Sequence, residues 1–580
     1  MMHWIIAPVV LPAMMAATIV LAARFHDSLQ RVFSLGSLVA LLAISIGLYM
    51  QASDGTITLY QLGHWQAPFG IVLVADRLST TMVLLTAVLA LPVLIYAIGS
   101  GWDKRGQHFH ALFQFQIMGI MGAFLTGDAF NLFVFFEVLL IASYGLMIHS
   151  GGATRTRSGV QYMLYNLLGS TLFLFALGTL YSQAGTLNLA DLALRVQQMD
   201  PENSAGLRVA AVLLLLVFAV KAALLPLHFW LPSSYANAPA PVAALFAIMT
   251  KVGAYSIIRF YTLVFPPSLP LVQGAHEEWL LPLALITLVI GMIGVLGTRE
   301  IGRLVAFSVV GSMGMLLASV AQFTPEGISA ALYYALHSTL ATAALFLIVD
   351  VVRERRGSVA GTIEETLPMA GGALVAGLFF IASIAMAGLP PLSGFLGKLL
   401  ILEAAQQGTL TWWVWAAVLG SSLIAVVGFS RAGSTIFWKS HQVAVEHCGT
   451  VDDPEDEQGA REVHDPADDH HPLPMIAIGL LVALLVALTV FSGPVTRQLD
   501  ATAQQLFAPQ PYISTVLETP GKEIKAHGDE HGDEHGDDHV ETGEDEAKHL
   551  PADEAHEDPP HDGEALHGED ANAQSTEGGH

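Results

Sequence analysis

A polytopic, all-α membrane protein of about 14 transmembrane helices is the fold class this sequence predicts. Three observations carry the prediction. The 580 residues are 53% hydrophobic and only 13% charged, with a mean hydropathy of +0.55, too apolar for a soluble chain of this length. Apolar runs long enough to cross a bilayer recur along most of the chain. Inside two of those runs stand Lys221 and Lys251, each costing about 2.5 to 3.5 kcal/mol at mid-membrane. The segment joining them is broken by Pro226, Pro232, Pro239 and Pro241, and lipid cannot replace the backbone donor that each proline removes. Such costs point to a water-lined or ion-paired path rather than to packing.

In chain order the runs fall near 3–23, 31–51, 76–99, 110–126, 129–149, 160–182, 207–231, 239–263, 279–297, 302–322, 327–350, 370–400, 411–437 and 472–492. The first reads as a spanning helix rather than a cleavable signal, because it is long and His3 supplies no strongly basic lead. Arg24 and Arg31, Lys104 and Arg105, Arg155 and Arg157, Arg299 and Arg303, and Arg353, Arg355 and Arg356 fall in alternate loops, which marks those loops as cytoplasmic. The N-terminus is then outside, and an even helix count returns the C-terminus outside. About two-thirds of the acidic residues lie beyond residue 440, so the formal net charge of -25 belongs to a linker and a tail. Residues 440–471 read as an acidic, solvated linker, and 493–580 as an acidic, His-rich disordered tail too polar to bury a core. The single cysteine, Cys448, excludes an intrachain disulfide and a cysteine-based metal cluster.

Several buried ionisable groups could carry chemistry. Glu137, within an apolar run, is expected either neutral or ionised against a buried cation; the alternative is an ion pair that only fixes helix packing. Asp128, nearer the helix start, reads as a cap. Lys221 precedes the proline break at Pro226 and Pro232, a pattern that hydrated transport paths use. Lys251 sits near the middle of its run and needs a partner or water. His228, beside Phe229 and Trp230, reads equally as an interfacial residue or part of a proton uptake path. His337, flanked by Ser338 and Thr339, is a candidate relay member or a satisfied core histidine. Asp350 reads as a surface pair with Arg353. Finally, Pro390, Pro391, Gly394 and Gly397 break a second helix beside Lys398. Two interrupted segments with a lysine each suggest a duplicated transporter core.

The strings from Lys221 (KAALLPLHFWLP, then APAPV to Lys251) and from Gly388 (GLPPLSGFLGK) resemble the antiporter-like membrane subunits shared by respiratory complex I, membrane hydrogenases and Mrp-type cation/proton antiporters. The resemblance covers about residues 70 to 440, and the string TGDAFNLFVFFEVLLIASY around Glu137 looks most like the D subunit of the Mrp (Pha) type. It implies two inverted five-helix repeats, 110–263 and 279–437, preceded by N-terminal helices over 1–109. It also implies a mid-membrane axis: Glu137 paired with Lys221 and coupled to conformational change, then Lys251, His337 and Lys398 relaying protons. Many relatives carry a further lysine or histidine soon after the position of His337. This chain has Ser-Thr-Leu-Ala-Thr there, which implies a water-dependent second half.

These features predict a membrane subunit of a hetero-oligomeric Na+ or K+/H+ antiporter in a bacterial inner membrane, a transporter component rather than an enzyme. Its partners would be other membrane subunits, the carried cations, protons and the lipid bilayer. The alternative is a proton-pumping subunit of a complex I-like or hydrogenase-type redox complex. A third reading makes the chain a scaffold whose tail is functional: His527, His531, His535 and His539, interleaved with carboxylates, suit weak Zn2+ or Ni2+ capture, against a solvated acidic brush that concentrates cations. No phosphate-cradling glycine loop, nucleophile elbow or dinucleotide fingerprint is present, so no cofactor and no nucleic-acid partner is expected.

Overall fold

The computed structural model describes residues 2–200, 204–270, 272, 274–408, 410–440 and 472–522. The chain divides into Met1–Glu523 and Ile524–His580, and the description concerns the first unit. Most of the expected linker and His527, His531, His535 and His539 lie outside the described residues.

Helices α1 (Ala7–Ala22) and α2 (Asp27–Ala52) open the fold, followed by a hairpin of β1 (Thr58–Gln61) and β2 (Val72–Ala75). The strands pair antiparallel, with Thr58 opposite Ala75 and Gln61 opposite Val72. This hairpin is a small departure from the expected all-helical chain. Asp76 then caps α3 (Arg77–Gly99) in a reciprocal box, accepting from the Ser79 amide at 2.8 Å while Ser79 Oγ accepts from the Asp76 amide at 2.9 Å. Next come α4 (Phe109–Leu125), α5 (Ala129–Met147), α6 (Ala153–Ala184) and the short amphipathic α7 (Leu189–Gln198). Asp128 caps α5 through the Asn131 amide at 2.8 Å, the role its position suggests.

The expected run 207–231 is broken. Helix α8 (Ala205–Lys221) stops at the lysine, and α9 (Trp230–Asn237) starts nine residues later. Beyond it lie α10 (Ala240–Leu263), α11 (Leu281–Gly297), α12 (Ile301–Val320) and α13 (Pro325–Arg355). The run 370–400 is broken likewise, into α14 (Gly372–Ala387) and α15 (Ser393–Ala404). Helix α16 (Thr411–Gly433) and α17 (Leu473–Val490) follow.

Every residue of α10 is buried, and α12 and α13 are nearly so. These three form the core, while α2, α16 and α17 expose apolar side chains such as Val39, Leu423 and Val490. An apolar surface on rim helices around a buried core with polar groups is the pattern of a bilayer-embedded bundle. Ten described helices are long and apolar enough to cross a membrane, and Ala7–Ala22, Phe109–Leu125 and Gly372–Ala387 are shorter apolar helices. Length alone therefore does not reach the expected fourteen among the described residues.

One expectation is corrected. Residues 493 onward, expected as a disordered tail, begin instead as α18 (Ser492–Phe507) and α19 (Gln510–Glu518). Both helices carry a buried stripe, including Leu499, Ala503, Ile513 and Val516. Buried apolar positions three to four residues apart give them the packing that the more distal polar sequence lacks.

Candidate functional site

At the first break, the end of α8 leaves backbone groups unpaired, and Pro226 brings no donor. Protein atoms satisfy them. Leu224 N donates to Ala219 O (2.9 Å), Leu225 N to the Thr287 hydroxyl (2.9 Å), and the Trp230 indole to Val220 O (3.1 Å). Lys221, 5% exposed, is the last residue of α8. Its Nζ lies 3.4 Å from Asn166 O, Asn166 Oδ1 and Ser170 Oγ, and 5.7 Å from the centre of the Phe136 ring.

The expected direct pair between Glu137 and Lys221 is not formed. Glu137 follows Phe136 on α5, is half-buried, and its Oε1 has no hydrogen-bond partner among the described residues. It is near enough for its charge to act on Lys221. The reason is local: Asn166 and Ser170, one helical turn apart on α6, take up the ammonium, with the Phe136 face adding a weak cation–π contact.

Lys251 stands at the middle of α10, 1% exposed, and its Nζ has no hydrogen-bond partner among the described residues. It borders a cavity of about 10 Å³ together with Met82, Tyr255, Leu316 and Ala335. That is close to the space one water needs. Two residues on, Gly253 brings α10 against the first break: a Cβ there would come within 2.8 Å of Ala222 N and 3.1 Å of Lys221 C.

The second break repeats the theme. Gly388, at φ +77°, ends α14 in a left-handed conformation. Lys398, five residues into α15, reaches back so that Nζ donates to Ala387 O at 2.6 Å and to Ser422 Oγ at 2.8 Å. His337, fully buried on α13, pairs its Nδ1 with Ser393 Oγ at 2.9 Å. Gly394 permits this contact, since a Cβ would meet His337 Nε2 at 2.8 Å and Ala385 O at 1.9 Å. Lys251 and Lys398 both lie near enough for their charges to act on His337. Thus Lys221 stands at the first break, Lys398 and His337 at the second, and Lys251 in the middle of α10.

His228 lies in the turn between α8 and α9, buried, with its ring 4.5 Å from that of Phe229 and its Nδ1 unpartnered among the described residues. Asp350 is not a surface pair. It is 5% exposed and accepts from Tyr96 OH (2.9 Å) and Trp102 Nε1 (2.7 Å), while Arg353 bonds instead to Glu300 and to Ala236 O. The sequence reading missed Asn166, Ser170, Ser393 and Ser422; of these only the i, i+4 pair 166/170 inside an apolar run was a usable signal. It also missed a buried ion pair, Asp76 with Arg259, at 2.7 Å and 2.9 Å. No metal-binding group of histidines, cysteines and carboxylates occurs among the described residues.

Residues 126–425 match the family described as NADH:quinone oxidoreductase/Mrp antiporter, TM. The chain is 35% identical over 551 residues to the probable D subunit of a K(+)/H(+) antiporter from Rhizobium meliloti (strain 1021), covering 89% of this chain and 98% of that one. It is 35% identical over 525 residues to the D subunit of the Na(+)/H(+) antiporter of Alkalihalophilus pseudofirmus, covering 89% and 100%. Its fold superposes on a chain of the Mrp complex from Dietzia sp. DQ12-45-1b with a TM-score of 0.76 at 28% identity, covering 89% of this chain and 99% of that one. A chain of respiratory complex I from Thermus thermophilus, at 24% identity and a TM-score of 0.69, covering 87% and 99%, shares the fold. With its two broken helices, its buried lysines and these relatives, the chain belongs to the NADH:quinone oxidoreductase/Mrp antiporter family of polytopic membrane subunits.

Proposed function

We propose that this chain is the proton-carrying membrane subunit of a multi-subunit monovalent cation/proton antiporter in a bacterial inner membrane, with both termini outside. Lys221 and Glu137 form its switching pair, and Lys251, His337 and Lys398 its relay, with His228 as an accessory group and Pro226, Pro232, Pro390 and Pro391 making the breaks. The observation that carries this reading is Lys251: an ammonium in the middle of a wholly buried helix, with no hydrogen bond to give up among the described residues. A lysine kept at that cost has a transport role as its first explanation. The absence of a direct bond between Glu137 and Lys221 favours a pair that meets only in one conformation of the cycle. The two breaks, one in 110–263 and one in 279–437, support a duplicated and inverted core.

The names of the relatives, D subunits of Na+ and K+ antiporters, favour Na+ or K+ exchange against protons. The redox-pump alternative has the shared family description and a fold-level likeness behind it, and neither of these two relatives carries such a name. The test is proton-driven Na+ or K+ exchange in everted vesicles containing the whole complex. Glu137→Gln and Lys221→Ala should abolish exchange, and full exchange by either variant overturns the assignment.

A further inference from the structure

On α10, Lys251, Tyr255 and Arg259 follow at four-residue intervals and so share one face, the last about 12 Å along the axis from the first. Arg259 is held in a two-point ion pair by Asp76, and the side chains of both are at most 5% exposed. Its guanidinium also lies over two rings, Tyr255 at 5.6 Å and Tyr512 at 5.2 Å. The small cavity, of about 10 Å³, lies on the Lys251 side of this pair. On α10 its lining extends from Lys251 through Ala254 and Tyr255 to Ile258, and on α3 from Met82 to Leu78. Its lining is apolar and reaches from the carbon stem of Lys251 to one residue short of Arg259 and two short of Asp76.

Above the pair sits the C-terminal segment. Tyr512 belongs to α19, and the preceding helix is anchored beside Asp76: Gln505 Oε1 accepts from Arg77 N at 3.1 Å, and Gln505 Nε2 donates to Gly55 O at 3.0 Å. Farther on, Gln61 Nε2 donates to Thr519 O at 3.0 Å. The strap thus spans from α3 to the β1–β2 hairpin, with Tyr512 as its inward plug.

We propose that the Asp76–Arg259 ion pair, covered by Tyr512, is a gate that closes the Lys251 chamber from the face bearing the β1–β2 hairpin. This rests on the proton-carrying role of Lys251 given above. With the pair made, the chamber has no polar way out on that side; parting it joins Lys251 to that face through Tyr255. A two-point, ring-sandwiched pair suits a gate because its closed geometry is specific, and removing one partner leaves an uncompensated charge that draws water in.

The test uses the whole complex in membrane vesicles of both orientations, with Cys448→Ser and a reporter thiol, Ala254→Cys, in the cavity lining. Ag+ is added from one side, and its reaction is read as loss of maleimide labelling after unfolding. With the gate intact the thiol reacts slowly. Asp76→Asn, and separately Tyr512→Ala, should speed Ag+ capture at least roughly tenfold from the hairpin face only, as expected when a buried pair or its cover is lost. Unchanged rates in the assembled complex, or an equal rise from both faces, overturns the gate. If Asp76→Asn does not assemble, Tyr512→Ala supplies the same reading with the pair intact. Labelling requires no transport, so a failure of the antiport assignment shows in the exchange assay and leaves this result standing.

Discussion

Lys398 Nζ donates to the carbonyl oxygen of Ala387 across 2.6 Å, so the lysine beyond the second break is bonded to the last residue of the helix before it. That carbonyl is one of the unpaired acceptors at a helix C-terminus, where partial negative charge gathers. The three buried lysines are thereby graded: Lys398 has two bonds under 3 Å, Lys221 three contacts at 3.4 Å, and Lys251 none among the described residues. Moving the proton of Lys251 breaks no hydrogen bond within that set. Moving one from Lys398 takes the charge from a donor that holds two.

The grading predicts opposite stability effects for one substitution at two positions. Lys398→Met leaves Ala387 O buried and unpaired, which costs about 1 to 3 kcal/mol. Lys251→Met removes an unpaired ammonium from an apolar site, and its Tm should stay level or rise. Both should lose exchange. Thermal unfolding of the detergent-solubilised complex reads the difference, and a larger Tm loss for Lys251→Met would contradict the grading.

Gly388→Ala should be damaging for two reasons at one position. Its φ of +77° is one that a Cβ disfavours, by about 1 to 2 kcal/mol. The added Cβ would also sit 2.5 Å from Lys398 Cδ, forcing the ammonium off Ala387 O. Exchange should fall more steeply than Tm. Alanine at Gly377, where a Cβ meets nothing within 4 Å, is the control and should leave both unchanged.

Outside the spans, Asp103 should confer acid sensitivity. Burial would raise its carboxyl, but hydrogen bonds from His110 (3.2 Å) and Arg31 (2.6 and 2.9 Å), and the Arg31 charge, hold it below the usual carboxylate range. Because the folded value is depressed, the stabilisation is complete above the unfolded value of about 3.9 and is lost as pH falls through the folded one. Asp103→Asn should therefore be less stable than wild type by about 1.5 to 3 kcal/mol at neutral pH. The gap in Tm should close as pH falls below about 4. A gap independent of pH would rule out the ionised carboxylate as its source.

Much of this was legible in the sequence because insertion cost is local. A lysine or histidine in an apolar run, or a proline beside one, announces itself without knowledge of its neighbours, which is why Lys221, Lys251, His337 and Lys398 could be chosen and both breaks located. Partners were not legible. Glu137 and Lys221 were matched as opposite charges, yet Asn166 and Ser170 reach the ammonium from α6, and nothing in a linear reading ranks an amide above a carboxylate. Asp350 failed for a related reason: Arg353 is near it in sequence, but Trp102 and Tyr96 arrive from α3 and the loop after it. Helices α18 and α19 went unseen because their buried stripes are short and adjoin a polar tail.

Asp350 has two donors, and they are unequal. Trp102 Nε1 has one proton and, at 2.7 Å, the Asp350 carboxylate as its acceptor, whereas Tyr96 OH also lies 3.2 Å from Leu347 O. In Asp350→Leu the tyrosine can turn to that carbonyl, so only the indole is stranded. The cost should be that of one unsatisfied buried group, about 1 to 3 kcal/mol, and not twice that. Asp350→Asn keeps an acceptor oxygen and should lose less. The decisive measurement is a double-mutant cycle of Asp350→Leu with Trp102→Phe, which removes the stranded donor. The two losses should be clearly less than additive. A cycle with Tyr96→Phe should come close to additive, since that bond has a substitute. Strong coupling to Tyr96 with none to Trp102 would show that the carboxylate is held chiefly by the phenol and would reverse the ranking.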